Sequence, residues 1–310
     1  MAEFPRLTEA ARVARLEPPA GTIRVVIDTD TFNEIDDQFA IAYALMSPSR
    51  MNVEAIYAAP FHNARSSGPE QGMSLSYDEI LRLLTLMHRK PDGFVFRGST
   101  QFIGASGQPQ DNAAVRDLID RAMASTPDDP LYVIALAAIT NVASAILLEP
   151  RIIERMVLVW LGGHALWWPD TREFNLRQDV EAARVIFDCG VPLVMLPCMG
   201  VVSNLRTTVA ELEAYVEPCN PLGAFLTHRV KDYGEEEHAL GWSKPIWDMA
   251  PVAWLNDSSW TADGLLPSPI LNADVTWSTN ASRHMIRYIH HVNRDAIFGD
   301  FFAKLAAFER

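Results

Sequence analysis

Residues 23–45 read IRVVIDTDTFNEIDDQFAIAYAL, and this stretch decides the fold. Its first five residues are mostly β-branched and predict a buried strand, whereas the apolar run 39–45 predicts a buried helix. A strand that leads directly into a helix opens a βα unit, from which parallel sheets are built. Acidic side chains crowd the turn between the two elements: Asp28, Asp30, Glu34, Asp36 and Asp37. Because ligands collect at the carboxyl ends of parallel strands, this turn is the first candidate site.

The rest of the chain repeats this alternation of short β-branched runs and amphipathic segments. The pattern predicts one α/β domain over residues 1–310, with a mainly parallel central sheet flanked by helices, Rossmann-like in type. Further strands are predicted at 53–58, 93–97, 131–136, 156–161 and 193–196, and helices at 36–46, 77–88, 113–124, 142–148 and 180–188.

Four other segments lack this alternation. Residues 1–21 form a polar leader, and residues 204–260 are predicted to form a helical region beside the sheet. Residues 265–277 indicate irregular structure or a strand, and residues 283–308 one or two closing helices. The acidic run 235–237 is interpreted as a solvated face.

Composition narrows the class of partner. A formal net charge of -13 repels nucleic acid and anionic lipid, so a neutral or cationic small molecule is the expected ligand. The cysteines, Cys189, Cys198 and Cys219, show no CxxC spacing, which favours buried thiols in a reducing compartment over disulfides or a zinc site. With no signal-peptide core and no apolar run of membrane length, the expected location is the cytoplasm, away from membranes.

The acidic turn favours a metal site. Close carboxylates repel one another and lose hydration on burial, unless a cation neutralises them or their pKa values rise. An all-oxygen set of this kind suits a hard cation, and flexible carboxylates favour calcium over magnesium. The alternative is that Asp36 and Asp37 interact with a helix N-terminus while Asp28 and Asp30 cap a turn.

The turn resembles the DxDPGxDD motif of the inosine-uridine-preferring nucleoside hydrolase family, with Asp28-Thr29-Asp30 followed by Asp36-Asp37 after a two-residue insertion within 32–34. Three more segments resemble motifs of that family in the same order along the chain. They are Ala137-Ala138-Ile139-Thr140-Asn141, then Leu161-Gly162-Gly163 followed by Glu173-Phe174-Asn175, and then Trp247-Asp248-Met249-Ala250-Pro251. Their joint order carries more weight than any single motif.

The resemblance implies a calcium-dependent enzyme that hydrolyses ribonucleosides in nucleoside salvage and assembles as a homodimer or homotetramer. It implies that Asp30, Asp37, the main-chain carbonyl of Thr140 and Asp248 hold the ion. It also implies that Asp36, Glu173 and Asn175 bind ribose hydroxyls beside Leu161, and that Asp28 supports the loop from below. Asp30 would take a proton from the water that attacks C1′, with inversion at that carbon by analogy with inverting glycosidases.

The chain departs from the family pattern where the leaving base is handled. Trp247 stands where most members have a His that can protonate the base, so that residue cannot be the acid; it either stacks on the base or packs in the core. In the 164–169 loop the usual Asn is missing, and Trp167 and Trp168 are candidates for the base pocket. His164 is either a proton donor or a turn residue. Asn63, with His62 beside it, is the candidate for a further sugar contact.

Two other functions fit parts of the sequence. A haloacid-dehalogenase-type magnesium phosphatase also begins with DxD after its first strand, but Phe32 replaces the expected Thr or Val and the later Lys and Asp pair is missing. A non-catalytic nucleoside or sugar binder would keep the metal-binding residues and lose turnover. The sequence leaves open the base, the sugar, the leaving-group acid and the number of subunits.

Overall fold

The computed structural model describes residues 4–233 and 241–308. Within these residues, eight strands form one central sheet in the order β3-β2-β1-β4-β5-β6-β12-β9. They are β1 (Ile23–Thr29), β2 (Met51–Ala58), β3 (Val95–Arg97), β4 (Leu131–Ala135), β5 (Met156–Leu161), β6 (Leu193–Leu196), β9 (Thr261–Pro267) and β12 (Met285–Val292). Two short antiparallel pairs lie outside it: β7 (Arg206–Thr207) with β8 (Lys244–Pro245), and β10 (Ile270–Leu271) with β11 (Trp277–Ser278).

Helices cover both faces of this sheet, and two hydrophobic clusters form the core on either side. The α-helices are α1 (Glu9–Leu16), α2 (Asp37–Leu45), α3 (Pro69–Leu86), α4 (Ala113–Met123), α5 (Thr140–Leu148), α6 (Phe174–Gln178), α7 (Val180–Cys189), α8 (Val209–Tyr215), α9 (Pro221–Tyr233), α10 (Met249–Asn256) and α11 (Arg294–Ala307). Short 3-10 turns occupy Gly104–Ser106, Pro150–Glu154, Val202–Asn204 and Ser258–Trp260. The predicted fold class, a mainly parallel sheet flanked by helices, is confirmed.

The order of the strands explains where a site can form. Strand β1 pairs with β2 on one side and with β4 on the other, both in parallel. The chain therefore changes direction across the sheet between β1 and β4, and a crevice opens at the carboxyl ends of these two strands. The acidic turn follows β1 and Thr140 follows β4, so both lie at this edge.

The C-terminal prediction was partly wrong. Residues 283–308 were expected to be helical, yet β12 occupies the first part and only α11 is helix. β12 is parallel to β6 and antiparallel to β9, so it completes the sheet. The side region also contains β7 and β8 beside its helices, and the acidic run 235–237 lies outside the described residues.

Other expectations from composition have structural counterparts. Cys189 and Cys198 are buried free thiols, whereas Cys219 is partly exposed, contrary to the expectation that all three are buried. No helix in the described part of the chain is long and apolar enough to cross a membrane. The leader contains a helix, α1, whose N-terminus is capped by the Thr8 side chain.

Candidate functional site

A cavity at the carboxyl edge of the sheet brings most of the predicted site residues together. Of those residues, the ones that line it are Asp30, Asp36, Asp37, Leu161, His164, Glu173, Asn175, Trp247 and Asp248. They come from segments that are far apart in sequence, after β1, β5 and β8. The remaining predicted residues do not line it: Asp28, His62, Asn63, Thr140, Trp167 and Trp168.

Three buried carboxylates form the centre of the cavity. Asp36, Asp37 and Asp248 each place an oxygen within 4.8 Å of the other two. Asp30 is 1% exposed and lines the same cavity. One buried oxygen of Asp30, Oδ2, and one of Asp248, Oδ1, have no hydrogen-bond partner among the described residues. Buried carboxyl oxygens without donors, in an all-oxygen set, fit a hard divalent cation.

The carboxyl groups raise one another's pKa. Burial, reinforced by the charges of Asp37 and Asp36, holds the pKa of Asp30 well above its usual range. Burial raises the pKa of Asp36 to about 6, although the ammonium of Lys244 opposes this. Burial and the charge of Asp36 raise the pKa of Asp37 to about 8. A cation at this point would remove the repulsion and favour the ionised forms.

Asp28 is fully buried and does not line the cavity. Its Oδ1 accepts a hydrogen bond of 2.7 Å from the amide of Asn141, and the oxygen of that amide accepts from the Ser99 main chain and hydroxyl at 2.8 and 2.6 Å. Burial raises the pKa of Asp28 to about 7. Asp28 thus links β1 to the start of α5, which agrees with a supporting position.

Thr140 begins α5 and is fully buried. Its hydroxyl donates a 2.7 Å hydrogen bond to Asp179, whose carboxylate also accepts from the main chain of Ile103 and Gly104 at 2.7 and 3.1 Å. The side chain therefore ties the start of α5 to the N-terminus of α7, and the metal contact of the main-chain carbonyl stays a prediction.

Glu173 and Asn175 form a rigid polar wall. The Glu173 carboxylate caps α6 by accepting from the main-chain N–H groups of Asn175 and Leu176, each at 2.9 Å, and from Gly163 at 3.0 Å. The Asn175 amide donates to the carbonyls of Leu136 and Leu161 at 3.0 and 3.1 Å. Burial raises the pKa of Glu173 in spite of these three donors. Both side chains are locked before any ligand arrives.

The insertion supplies lining residues that the sequence did not reveal. Asn33 and Glu34 line the cavity, and the Asn63 amide donates a 2.7 Å hydrogen bond to Asn33 Oδ1. Asn63 therefore lies behind Asn33, and its predicted sugar contact stays a prediction. The buried Lys244 forms an ion pair with Glu34. The short insertion was visible in the sequence, but its partners on distant segments were not.

The aromatic candidates differ in exposure. Trp247 is half-buried in the cavity wall, whereas Trp167 is 69% exposed and packs edge-on against Trp168. His62 is exposed and its main-chain N–H donates to Gln178. His164 lines the cavity, and its ring nitrogen Nδ1 accepts a hydrogen bond from the Met199 main chain. Phe174, Cys198 and Met199 complete the wall, and no sequence signal distinguished them from core residues.

Comparisons with known proteins agree with this geometry. The family model described as inosine-uridine preferring nucleoside hydrolase matches residues 25–297. A pyrimidine-specific ribonucleoside hydrolase, RihA, of Salmonella paratyphi C is 26% identical over 259 residues, which cover 74% of this chain and 78% of the relative.

Solved structures with the same fold cover nearly the whole chain. A plant nucleoside hydrolase, PpNRh1, superposes with a TM-score of 0.73 at 20% identity, over 92% of this chain and 99% of that one. An inosine-guanosine nucleoside hydrolase gives a TM-score of 0.75 at 17% identity, over 93% and 99%. At these identities the likeness establishes the fold alone.

Proposed function

The chain belongs to the inosine-uridine preferring nucleoside hydrolase family and is therefore an N-ribohydrolase, and we propose that it works with a calcium ion and with Asp30 as the base. The reaction breaks the N-glycosidic bond of a ribonucleoside and releases the free base and ribose. The observation that carries the proposal is the set of buried acids at one edge of the sheet, with two carboxylate oxygens that lack donors.

The residues that would hold the ion are Asp30, Asp37, the main-chain carbonyl of Thr140 and Asp248. When bound, calcium supplies positive charge that lowers the pKa of a nearby water and favours the ionised carboxylates. Asp36 is close enough to Asp37 and Asp248 to sense the same charge. We assign Asp36 to a ribose hydroxyl.

Asp30 accepts the proton as water attacks C1′. Its support is that Asp30 is buried, lines the cavity and has an oxygen, Oδ2, that no donor among the described residues occupies. The C–N bond breaks as the new C–O bond forms, and positive charge develops on the ribosyl ring. The surrounding carboxylates stabilise that charge more in the transition state than in the substrate.

Glu173 and Asn175 hold the sugar in place. Their own hydrogen bonds fix the two side chains, so binding costs little rotamer freedom on the protein side. Attack by water on the face of C1′ opposite the leaving base would invert the anomeric carbon.

The test is release of reducing sugar from a nucleoside panel in the presence of calcium. The panel contains uridine and cytidine because the curated relative is pyrimidine-specific, and inosine and guanosine because a solved relative is named for them. The wild type should release ribose from at least one nucleoside, and Asp30→Asn should reduce kcat by about 10³-fold or more. The exposed Asp92→Asn is the matched control and should keep full activity.

Three outcomes would overturn the proposal or a part of it. Tight nucleoside binding without ribose release would indicate a binding protein, and phosphate release from sugar phosphates without ribose release would indicate a phosphatase. Full activity of Asp30→Asn would remove this residue from the role of base.

A further inference from the structure

His164 is held at three points, and none of them uses its Nε2 atom. Its main-chain N–H donates to the Thr171 hydroxyl at 2.9 Å, and its carbonyl accepts from the Trp277 indole N–H at 3.2 Å. Its ring nitrogen Nδ1 accepts from the Met199 main-chain N–H at 3.3 Å. Gly163, with a φ of 74°, makes the turn that places this residue at the cavity. The ring is therefore fixed before a ligand binds.

These contacts select one form of the imidazole. Because Nδ1 accepts a hydrogen bond from a main-chain N–H, it cannot carry a proton without losing that bond. The neutral ring then bears its proton on Nε2, for which the described residues supply no acceptor. Burial lowers the pKa of His164, against the opposing charge of Asp170, and so also disfavours the imidazolium form. His164 is therefore a neutral hydrogen-bond donor through Nε2–H, and its imidazolium form is disfavoured.

The other lining residues offer little help to a leaving base. Trp247 has one N–H and no titratable group, and the acids that line the cavity would repel negative charge on a departing base. His164 lines this cavity together with Met199 and Phe174, whose side chains can contact a flat ring. The neutral imidazole of His164 can donate a hydrogen bond to a ring nitrogen or a carbonyl oxygen of the base.

We propose that the Nε2–H group of neutral His164 donates a hydrogen bond to an acceptor atom of the departing base. This inference rests on the proposed function and deepens it. As the C1′–N bond breaks, its electron pair goes to the base nitrogen, and the growing negative charge strengthens the hydrogen bond from His164. The base then takes a proton from solvent, and Asp30 returns to solvent the proton that it took from the attacking water. His164 itself keeps its proton throughout.

The test compares two leaving groups. The bases of natural nucleosides are poor leaving groups as anions and need a hydrogen-bond donor. 4-Nitrophenolate is a good leaving group without a donor, so 4-nitrophenyl β-D-ribofuranoside is the reference substrate. His164→Phe should reduce kcat/KM for the best nucleoside by about 10²-fold, and by less than about threefold for the nitrophenyl riboside. His164→Gln keeps an N–H donor and should lose only about tenfold on the nucleoside and nothing on the reference. The exposed His290→Phe is the matched control and should behave as wild type on both.

Equal losses on the two substrates would overturn the inference, because a merely structural role affects both reactions alike. Should His164→Phe fail to fold, the Gln variant decides by the same comparison. If the wild type cleaves neither substrate, the proposed function fails, and this result is distinct from a failure of the inference about His164.

Discussion

Asp36, Asp37 and Asp248 share one buried wall, and this arrangement is costly without a cation. Each carboxylate has lost hydration, and its neighbours repel its charge. The protein can respond by binding protons or by binding a metal ion. These two responses compete, because ligands must be deprotonated before they bind metal.

Calcium should therefore stabilise the protein more at high pH than at low pH. The pKa values of Asp36 and Asp37 are raised to about 6 and about 8 in the fold. A raised pKa means that stability is full below the unfolded value near 4 and is lost as pH rises through the folded values. Added calcium should restore this loss, so the rise in Tm over a chelator-treated sample should be larger at about pH 8.5 than at about pH 5.5.

The measurement is a thermal melt with calcium or chelator at the two pH values. Asp37→Asn should reduce the calcium effect at high pH, because it removes one of the carboxylates proposed to hold the ion. A calcium effect of the same size at both pH values, or none at either, would contradict a site built from these carboxylates.

Site residues that belong to a motif could be predicted from the sequence, since the motif orders them along the chain. Asp30, Asp36, Asp37 and Asp248 all reach one cavity. The position of Asn33 in the cavity wall could not be predicted, because only the fold shows that the Asn63 amide donates a hydrogen bond to Asn33 Oδ1. The position of a polar side chain relative to a neighbour 30 residues away depends on loop geometry, which has no simple sequence signal.

At the scale of elements, the insertion after β1 is held by charges from another segment. The Lys244 side chain is 7% exposed and pairs with Glu34, which is 32% exposed. Lys244 also lies close to Asp36, whose charge raises the pKa of the ammonium against the effect of burial. One buried cation thus serves two carboxylates at the edge of the cavity.

Lys244→Met should destabilise the protein more than Glu34→Gln does. The first change leaves two carboxylates without their cation, whereas the second leaves Lys244 paired with Asp36. We expect losses of about 2–3 kcal/mol and below about 1 kcal/mol in the free energy of unfolding, measured with urea. The ion pairs of Lys231 with Glu213 and Glu217, which are more exposed than that of Lys244, provide the control, and Lys231→Met should cost below about 0.5 kcal/mol. Equal losses for Lys244→Met and Glu34→Gln would mean that Asp36 does not depend on Lys244.

The strand β12 shows why a few elements escaped prediction. Its sequence, MIRYIHHV, carries charged and aromatic side chains without the clean alternation of a half-buried strand. It is a strand because β6 and β9 offer free edges: Arg287 lies beside Val194 on one side and Leu265 on the other. Those partners are distant in sequence, so the pairing has no local signal, although the Ile, Tyr and Val residues of this segment favour a strand.

For the whole molecule, the sheet order brings the motif segments together. The sequence predicts parallel βα units, but it does not say that β1 lies between β2 and β4. The reversal at this point places the turn after β1 beside Thr140 after β4, and β5 carries the Gly162-Gly163 turn alongside. Each motif alone is weak evidence for a site. Their joint order is stronger evidence, because the order of the strands in the sheet brings these segments close together.

The chain outside the 25–297 match also contributes to stability, through α1. This helix packs on β12, and Leu16 at its end is fully buried. Arg287 of β12 donates hydrogen bonds to the Leu16 carbonyl, to Glu17 and to Asp263, so it joins the N-terminal segment to two strands. A second contact joins α1 to α7, because Arg12 donates a hydrogen bond to the Gly190 carbonyl at the end of α7.

Removal of residues 1–20 should lower Tm by about 5–10 °C, because it exposes the surface under Leu16 and leaves Arg287 with one of its three acceptors. No residue of α1 lines the cavity within the described ranges, so kcat/KM at about 25 °C should stay within about twofold of the full chain. Leu16→Ala keeps Arg287 paired and should account for about half of the effect, whereas Thr8→Ala removes only the helix cap and should cost about 1 kcal/mol. An unchanged Tm after truncation would show that α1 adds no net stability. A loss of activity with an unchanged Tm would show that residues 1–20 act on the site and not on the fold.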